Sequence, residues 1–115
     1  TGMNRLFHHD GERATSRAAE KYGCYYSLST LSSVSIEEIG SLTESPKMFQ
    51  IYIHKDRGLT YELIERCKKA KFTSLCLTID TIVAGNRERD LRTGMTMPPK
   101  FTPSSLLAYY PSETP

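Results

Sequence analysis

Three short segments rich in β-compatible residues, 24–31, 48–53 and 74–80, alternate with helical patterns along this chain of 115 residues. Alternation of this kind argues for right-handed βαβ units and a parallel sheet. The third segment, Ser-Leu-Cys-Leu-Thr-Ile-Asp, is nearly continuous in apolar character, as a parallel strand covered on both faces should be. Each segment ends in polar groups, namely Ser29-Thr30, Gln50-Ile51-Tyr52 and Thr78-Ile79-Asp80. In a parallel β/α fold the C-terminal ends of the strands point at the ligand, so this recurrence marks a site.

The intervening patterns have recognisable ends. Residues 10–22 place Ala14, Ala18, Ala19 and Tyr22 at helical spacing, with Asp10 and Glu12 in the first turn and Gly23 at the stop. Ser35-Ile36-Glu37-Glu38 reads as a capping box, Ser35 capping and Glu38 reaching back, for a short helix ending near Gly40. Residues 41–47 read as a loop. Residues 60–71 form an amphipathic helix, with Leu63, Ile64, Cys67 and Ala70 on one side and Glu62, Glu65, Arg66, Lys68 and Lys69 largely on the other. Glu12, Glu37, Glu38, Glu62 and Glu65 are assigned to helix surfaces. Beyond Ile82 the character changes: residues 85–115 carry a cluster of charges and five of the six prolines, which predicts an extended loop.

Length allows one small domain. Hydrophobic residues make up 38% and charged residues 24%, and no apolar run approaches the ~20 residues of a membrane span, so neither a disordered nor a membrane-spanning chain is expected. Fifteen basic and 13 acidic residues are mixed along the chain, which leaves no basic stripe for nucleic acid. Cys24, Cys67 and Cys76 have no C-x-x-C spacing, and Cys24 and Cys76 fall in strand patterns where a free thiol acts as a small hydrophobe. A reduced, cytoplasmic setting is expected. Thr1-Gly2-Met3 has neither the charged nor the apolar region of a targeting peptide and reads as a chain entered partway through a domain.

Gln50 and Tyr52 share one strand face, and Thr78 and Asp80 repeat the arrangement on the next strand. Amide, hydroxyl and carboxylate groups together can satisfy a planar heterocycle, and Asp80 can orient a histidine acting as general base. Taken singly, polar strand ends more often cap loops or bond stray backbone groups; recurrence on three successive strands favours a site. Asp80 could instead be paired structurally by Arg87 or Arg89. Arg87, just beyond the third strand, can fork onto a carboxylate substrate or belong to a solvated charge cluster, the better reading for Glu88 and Arg89. His8-His9 lacks any recognised metal-ligand spacing and is assigned a structural or surface role. The glycine-rich signatures of dinucleotide and nucleoside-triphosphate sites are absent from the sequence.

Taken together, Thr1-Gly2-Met3, Asp10-Gly11-Glu12, Arg17-Ala18-Ala19, Leu28-Ser29-Thr30, Phe49-Gln50-Ile51-Tyr52, Leu77-Thr78-Ile79-Asp80 and Gly85-Asn86-Arg87-Glu88-Arg89-Asp90 resemble one family. It is that of the FMN-dependent 2-hydroxy acid dehydrogenases and oxidases, which includes L-lactate dehydrogenase, glycolate oxidase and mandelate dehydrogenase. Residues 85–99 look most like the bacterial L-lactate dehydrogenase branch. The resemblance covers 1–102 and implies an α/β fold, part of a (β/α)8 TIM barrel with three to four of its eight units; 103–115 diverge as a loop-like or truncated tail.

The resemblance implies FMN as cofactor. It puts the backbone at Thr1 and Gly2 beside the reactive edge of the flavin, and Ser29, Gln50 and Thr78 on its pyrimidine part. Tyr52 and Arg87 would contact the substrate, and Asp80 would hold the catalytic histidine's imidazole. The implied reaction takes a proton and a hydride equivalent from the 2-carbon of an L-2-hydroxy acid, L-lactate foremost, to give the 2-keto acid. The base histidine, the arginine on the substrate carboxylate, the lysine near the flavin and the phosphate loops belong to later strands, and neither His8 nor His9 stands where the base does, so the 115 residues alone should be inactive. Gly2 stands where many relatives have alanine, which should change the room beside the flavin, and Leu31 should shape the substrate pocket. The electron acceptor stays open between oxygen, a quinone and a cytochrome, as do a homo-oligomer and peripheral attachment at the inner face of a membrane. Competing readings are a non-catalytic interaction module and another flavin- or phosphate-binding barrel.

Overall fold

The computed structural model describes residues 2–83 and 85–95. Two compact units divide the chain, Thr1–Ile79 and Asp80–Pro115. The first opens with a 3-10 turn, Asn4–Leu6, and continues as α1 (Glu12–Lys21), β1 (Tyr26–Ser29), α2 (Ile36–Leu42), β2 (Lys47–Ile51), α3 (Arg57–Lys69) and β3 (Ser74–Leu77). The described part of the second contains α4 (Glu88–Thr93).

The three strands are parallel and ordered β1-β2-β3, with Leu28 opposite Phe49 and Phe49 opposite Leu75. A sheet that grows in one direction through right-handed crossovers carries its helices on one face. Burial along β2 shows that face: Lys47, Phe49 and Ile51 are buried, while Met48 and Gln50 between them are half-buried. The core joins Leu28, Phe49 and Ile51 of the sheet to Val34, Ile36 and Ile39 from α2 and its approach, and to Cys67 of α3. This is the arrangement of an arc of a (β/α)8 barrel, with the helices outside and the opposite face carrying Ser29, Gln50 and Cys76 in register.

Local chemistry sets the helix ends. Asp56 starts α3 by accepting from the amides of Gly58 (2.8 Å) and Leu59 (3.4 Å), so the helix begins before the predicted residue 60. Ser35 caps α2 as expected, accepting from the Glu38 amide at 3.1 Å. The Glu38 carboxylate does not reach back; it pairs with Arg13 of α1, because a neighbouring guanidinium outcompetes a backbone amide for it. Gly40 lets α2 approach the end of α3, since a Cβ there would lie 2.7 Å from that of Ala70.

Four expectations are corrected. The apolar stripe assigned to the first helix is not its buried face: Ala14, Ala18 and Tyr22 are exposed, and Glu12 and Ser16 are buried. Lys47, assigned to a loop, opens β2 and is buried, its Nζ donating to the carbonyls of Thr43 (2.6 Å) and Ser45 (3.3 Å) near the Phe72 ring. All of β3 is exposed, because no described element covers it from either side. Residues 88–93 are helical, where an extended loop was predicted, with acidic Glu88 and Asp90 in the first turn and Gly94 closing the end in the left-handed region at φ 71°. The five prolines of the tail, the boundary at 102/103 and Thr1 lie outside the described residues.

Candidate functional site

Ser29 ends β1, Gln50 is the penultimate residue of β2, and Tyr52 and Thr78 follow the ends of β2 and β3. The pleat brings three of these side chains together on the face opposite the helices. Gln50 Nε2 donates to Thr78 Oγ1 at 2.6 Å, and its Oε1 accepts from Ser29 Oγ and from the Thr30 amide, both at 3.2 Å. Ser29 Oγ in turn accepts from the Leu31 amide at 3.1 Å. The amide of Gln50 is thereby fixed in one orientation. Among the described residues these bonds leave one Gln50 N–H and the Thr78 O–H unused as donors, with a spare lone pair on Ser29. Tyr52 is half-buried beyond them.

The segment before α1 lies against the loop that follows β1. The Met3 amide donates to the Leu31 carbonyl at 2.8 Å. A Cβ on Gly2 would stand 2.9 Å from Leu31 Cβ and equally close to its carbonyl oxygen, so glycine here serves a backbone contact with Leu31. Leu31 itself is exposed.

Beneath this contact sits a residue that the sequence reading placed on a helix surface. Glu12 is fully buried. Its Oε1 accepts from the amides of Asn4 (3.1 Å) and Ser33 (3.0 Å), and its Oε2 from Ser33 Oγ (2.6 Å). Burial pushes the carboxyl upward, but the hydrogen bonds from Ser33 and Asn4 outweigh it and hold the group below its ordinary value. The available signal was Gly11, whose φ of 53° turns the chain into α1 and delivers Glu12 inward.

Asp80 and Arg87 fall in the second unit, and both are exposed. Arg87 stands at the N-cap of α4. Neither makes an ion pair among the described residues, so the structural pairing considered for Asp80 is not seen there; Glu88 instead pairs with Arg92 at 3.5 Å. His8 and His9 stack with ring centroids 4.3 Å apart on the surface, and His8 Nδ1 accepts from the Asp10 amide at 3.3 Å.

Comparison with known proteins gives this geometry a setting. A family model described as FMN-dependent dehydrogenase matches residues 1–114. The chain is 48% identical over 98 residues to an L-lactate oxidase of Nostoc sp., covering 82% of this chain and 27% of that protein. It is 38% identical over 102 residues to glycolate oxidase 1 of Zea mays, covering 89% of this chain and 28% of that one. The solved structure of the monotopic membrane protein (S)-mandelate dehydrogenase superposes with a TM-score of 0.79 at 32% identity, over 93% of this chain and 28% of that one. The chain thus spans about a quarter of the length of the curated relatives it matches. With a family model matched over nearly all its residues and a polar ladder at the strand ends of a parallel β/α arc, this chain belongs to the FMN-dependent dehydrogenase family.

Proposed function

We propose that the protein carrying these residues oxidises an L-2-hydroxy acid, L-lactate foremost, to the 2-keto acid. The carrying observation is the Ser29–Gln50–Thr78 ladder, whose free N–H and O–H suit the carbonyl edge of a planar heterocycle. The donor set therefore fits the pyrimidine part of FMN, on which the family depends. When bound, FMN supplies a two-electron acceptor for the hydride equivalent lost from the substrate 2-carbon.

In this reading Ser29, Gln50 and Thr78 hold the flavin's polar edge, and the backbone at Thr1 and Gly2 lies along its reactive side. Tyr52 orients the substrate through its hydroxyl, and Arg87 meets the substrate carboxylate. Asp80 fixes the imidazole of a histidine supplied elsewhere in the barrel and stabilises it once it holds the substrate proton. In this reading the 115 residues alone do not turn over, since the base histidine and the arginine on the substrate carboxylate belong to later strands of the barrel.

The preference for lactate rests on the 48% identity to the L-lactate oxidase; glycolate is the second reading, from the 38% identity to the plant glycolate oxidase. Anaerobic addition of L-lactate, glycolate and (S)-mandelate to the complete flavoprotein tests both. The expected result is fastest bleaching of the flavin by L-lactate, with Gln50→Leu weakening FMN binding by about tenfold or more through loss of the ladder. Absence of bound FMN, or no bleaching by any of the three acids, overturns the reading. Reoxidation by air or only by a quinone or cytochrome then identifies the acceptor.

A further inference from the structure

We infer that Glu12 is a positioning residue of the flavin site, a buried carboxylate that locks the Gly2-bearing segment onto the strand end bearing Ser29; this rests on the function proposed above. Two stretches assigned to the cofactor are far apart in sequence, and backbone contacts alone join them weakly. The Met3 amide to the Leu31 carbonyl is the one direct backbone bond between them among the described residues. Glu12 adds a common anchor. One oxygen holds the amides of Asn4 and Ser33 together, and the other holds Ser33 Oγ, which itself accepts from the Arg5 amide at 3.0 Å.

Every arm of this cluster ends on the backbone of one loop or the other. Asn4 and Arg5 lie two and three residues after Gly2, and Ser33 lies four after Ser29. The anchor is set in turn by α1, whose first residue is Glu12, so the position of both loops is referred to a rigid helix. A charged acceptor makes stronger bonds to amides than a neutral one, and full burial removes competing water. A solvated surface glutamate would hold neither loop. Among the described residues Glu12 makes no hydrogen bond to the ladder itself, so its effect on a flavin is exerted through the placement of Gly2 and Ser29.

The test uses the complete flavoprotein and measures the FMN dissociation constant of the apoprotein by fluorescence titration, alongside the melting temperature. Glu12→Ala is expected to raise that constant about tenfold or more, because three donors lose their acceptor at once. Glu12→Gln keeps an oxygen for the Asn4 and Ser33 amides and is expected to bring it back to within about threefold of wild type. Ile39→Val, a core truncation within α2 rather than in either loop, should lower the melting temperature and leave FMN binding unchanged. Equal FMN affinity in wild type and Glu12→Ala overturns the inference, as does an equal loss in Ile39→Val. Where Glu12→Ala does not fold, Ser33→Ala replaces it: weaker FMN binding supports the anchor, and unchanged binding overturns it. A wild-type protein that takes up no FMN sinks the functional reading and this inference together; a wild type that loads while Glu12→Ala loads equally well sinks this inference alone.

Discussion

Cys67 and Glu12 show how far a side chain's surroundings can depart from its residue type. Cys67 is buried in the core, and that burial pushes its thiol up to about 11, against a smaller opposing pull from Arg66. The folded 115-residue chain should therefore label with N-ethylmaleimide at Cys24 and Cys76, both exposed, and at Cys67 only after unfolding, as peptide mass spectrometry will read. Labelling of Cys67 at the rate of the other two would show that α3 does not close over it. The sequence assigned the opposite character to Cys24 and Cys76, as small hydrophobes within strands, because a strand pattern says nothing about whether a neighbour covers it. Ser29, Gln50 and Thr78 were legible for the converse reason: their place at a strand end and on one face follows from the two-residue period of the chain. Glu12 was not legible, since a glutamate in a first helical turn is ordinarily solvated.

At the scale of elements, the helices were readable in their periodicity and less so at their ends. The α3 stripe of Leu63, Ile64, Cys67 and Ala70 does face the core, whereas the Asp56 cap was missed because an Asx cap is a local hydrogen bond without an apolar signature. Between α2 and α3, Arg66 forks onto Glu37, with Nε and Nη2 at 2.7 and 2.9 Å from the two carboxylate oxygens. Those hydrogen bonds hold the Glu37 carboxyl at about 2, below the ordinary 4.5. A depressed carboxyl contributes stability above its unfolded value and loses it as pH falls from about 4.5 through about 2. Because Glu37 is more than half exposed, the contribution is about 0.5–1 kcal/mol rather than the full linkage value. Urea titrations should show Glu37→Gln less stable than wild type by that amount at pH 7, with the gap closing near pH 2 and narrowing in high salt. A gap that persists at pH 2 would mean the glutamate acts by packing.

On the scale of the whole molecule, no element among the described residues covers β3. Leu75 and Leu77 are 43% and 51% exposed, on the face where Leu28 and Phe49 are buried under helices. Ile79 follows at 77% exposure. An apolar parallel strand that lacks a partner beyond it and a helix above it is a template for further pairing. The 115-residue chain in isolation should therefore self-associate with rising concentration, visible by light scattering, and Leu77→Lys should reduce that association. A monomeric chain with a cooperative melting transition at all concentrations would instead favour the non-catalytic module considered from the sequence.

The alternation of strand and helix, the parallel connection they require and the polar row at three strand ends were all readable before any coordinates, because each depends on residues a few positions apart. The bonds that join the row into a ladder were not. Gln50 meets Thr78 across 28 residues and Ser29 across 21, and Glu12 meets Ser33 across 21. Partners at such separations are chosen by strand order, register and helix packing, which hydrophobic periodicity constrains without specifying. Tertiary structure alone decided that a first-turn glutamate would be the buried anchor of two loops and that an apolar strand would be the exposed one, since burial is a property of what packs against a residue.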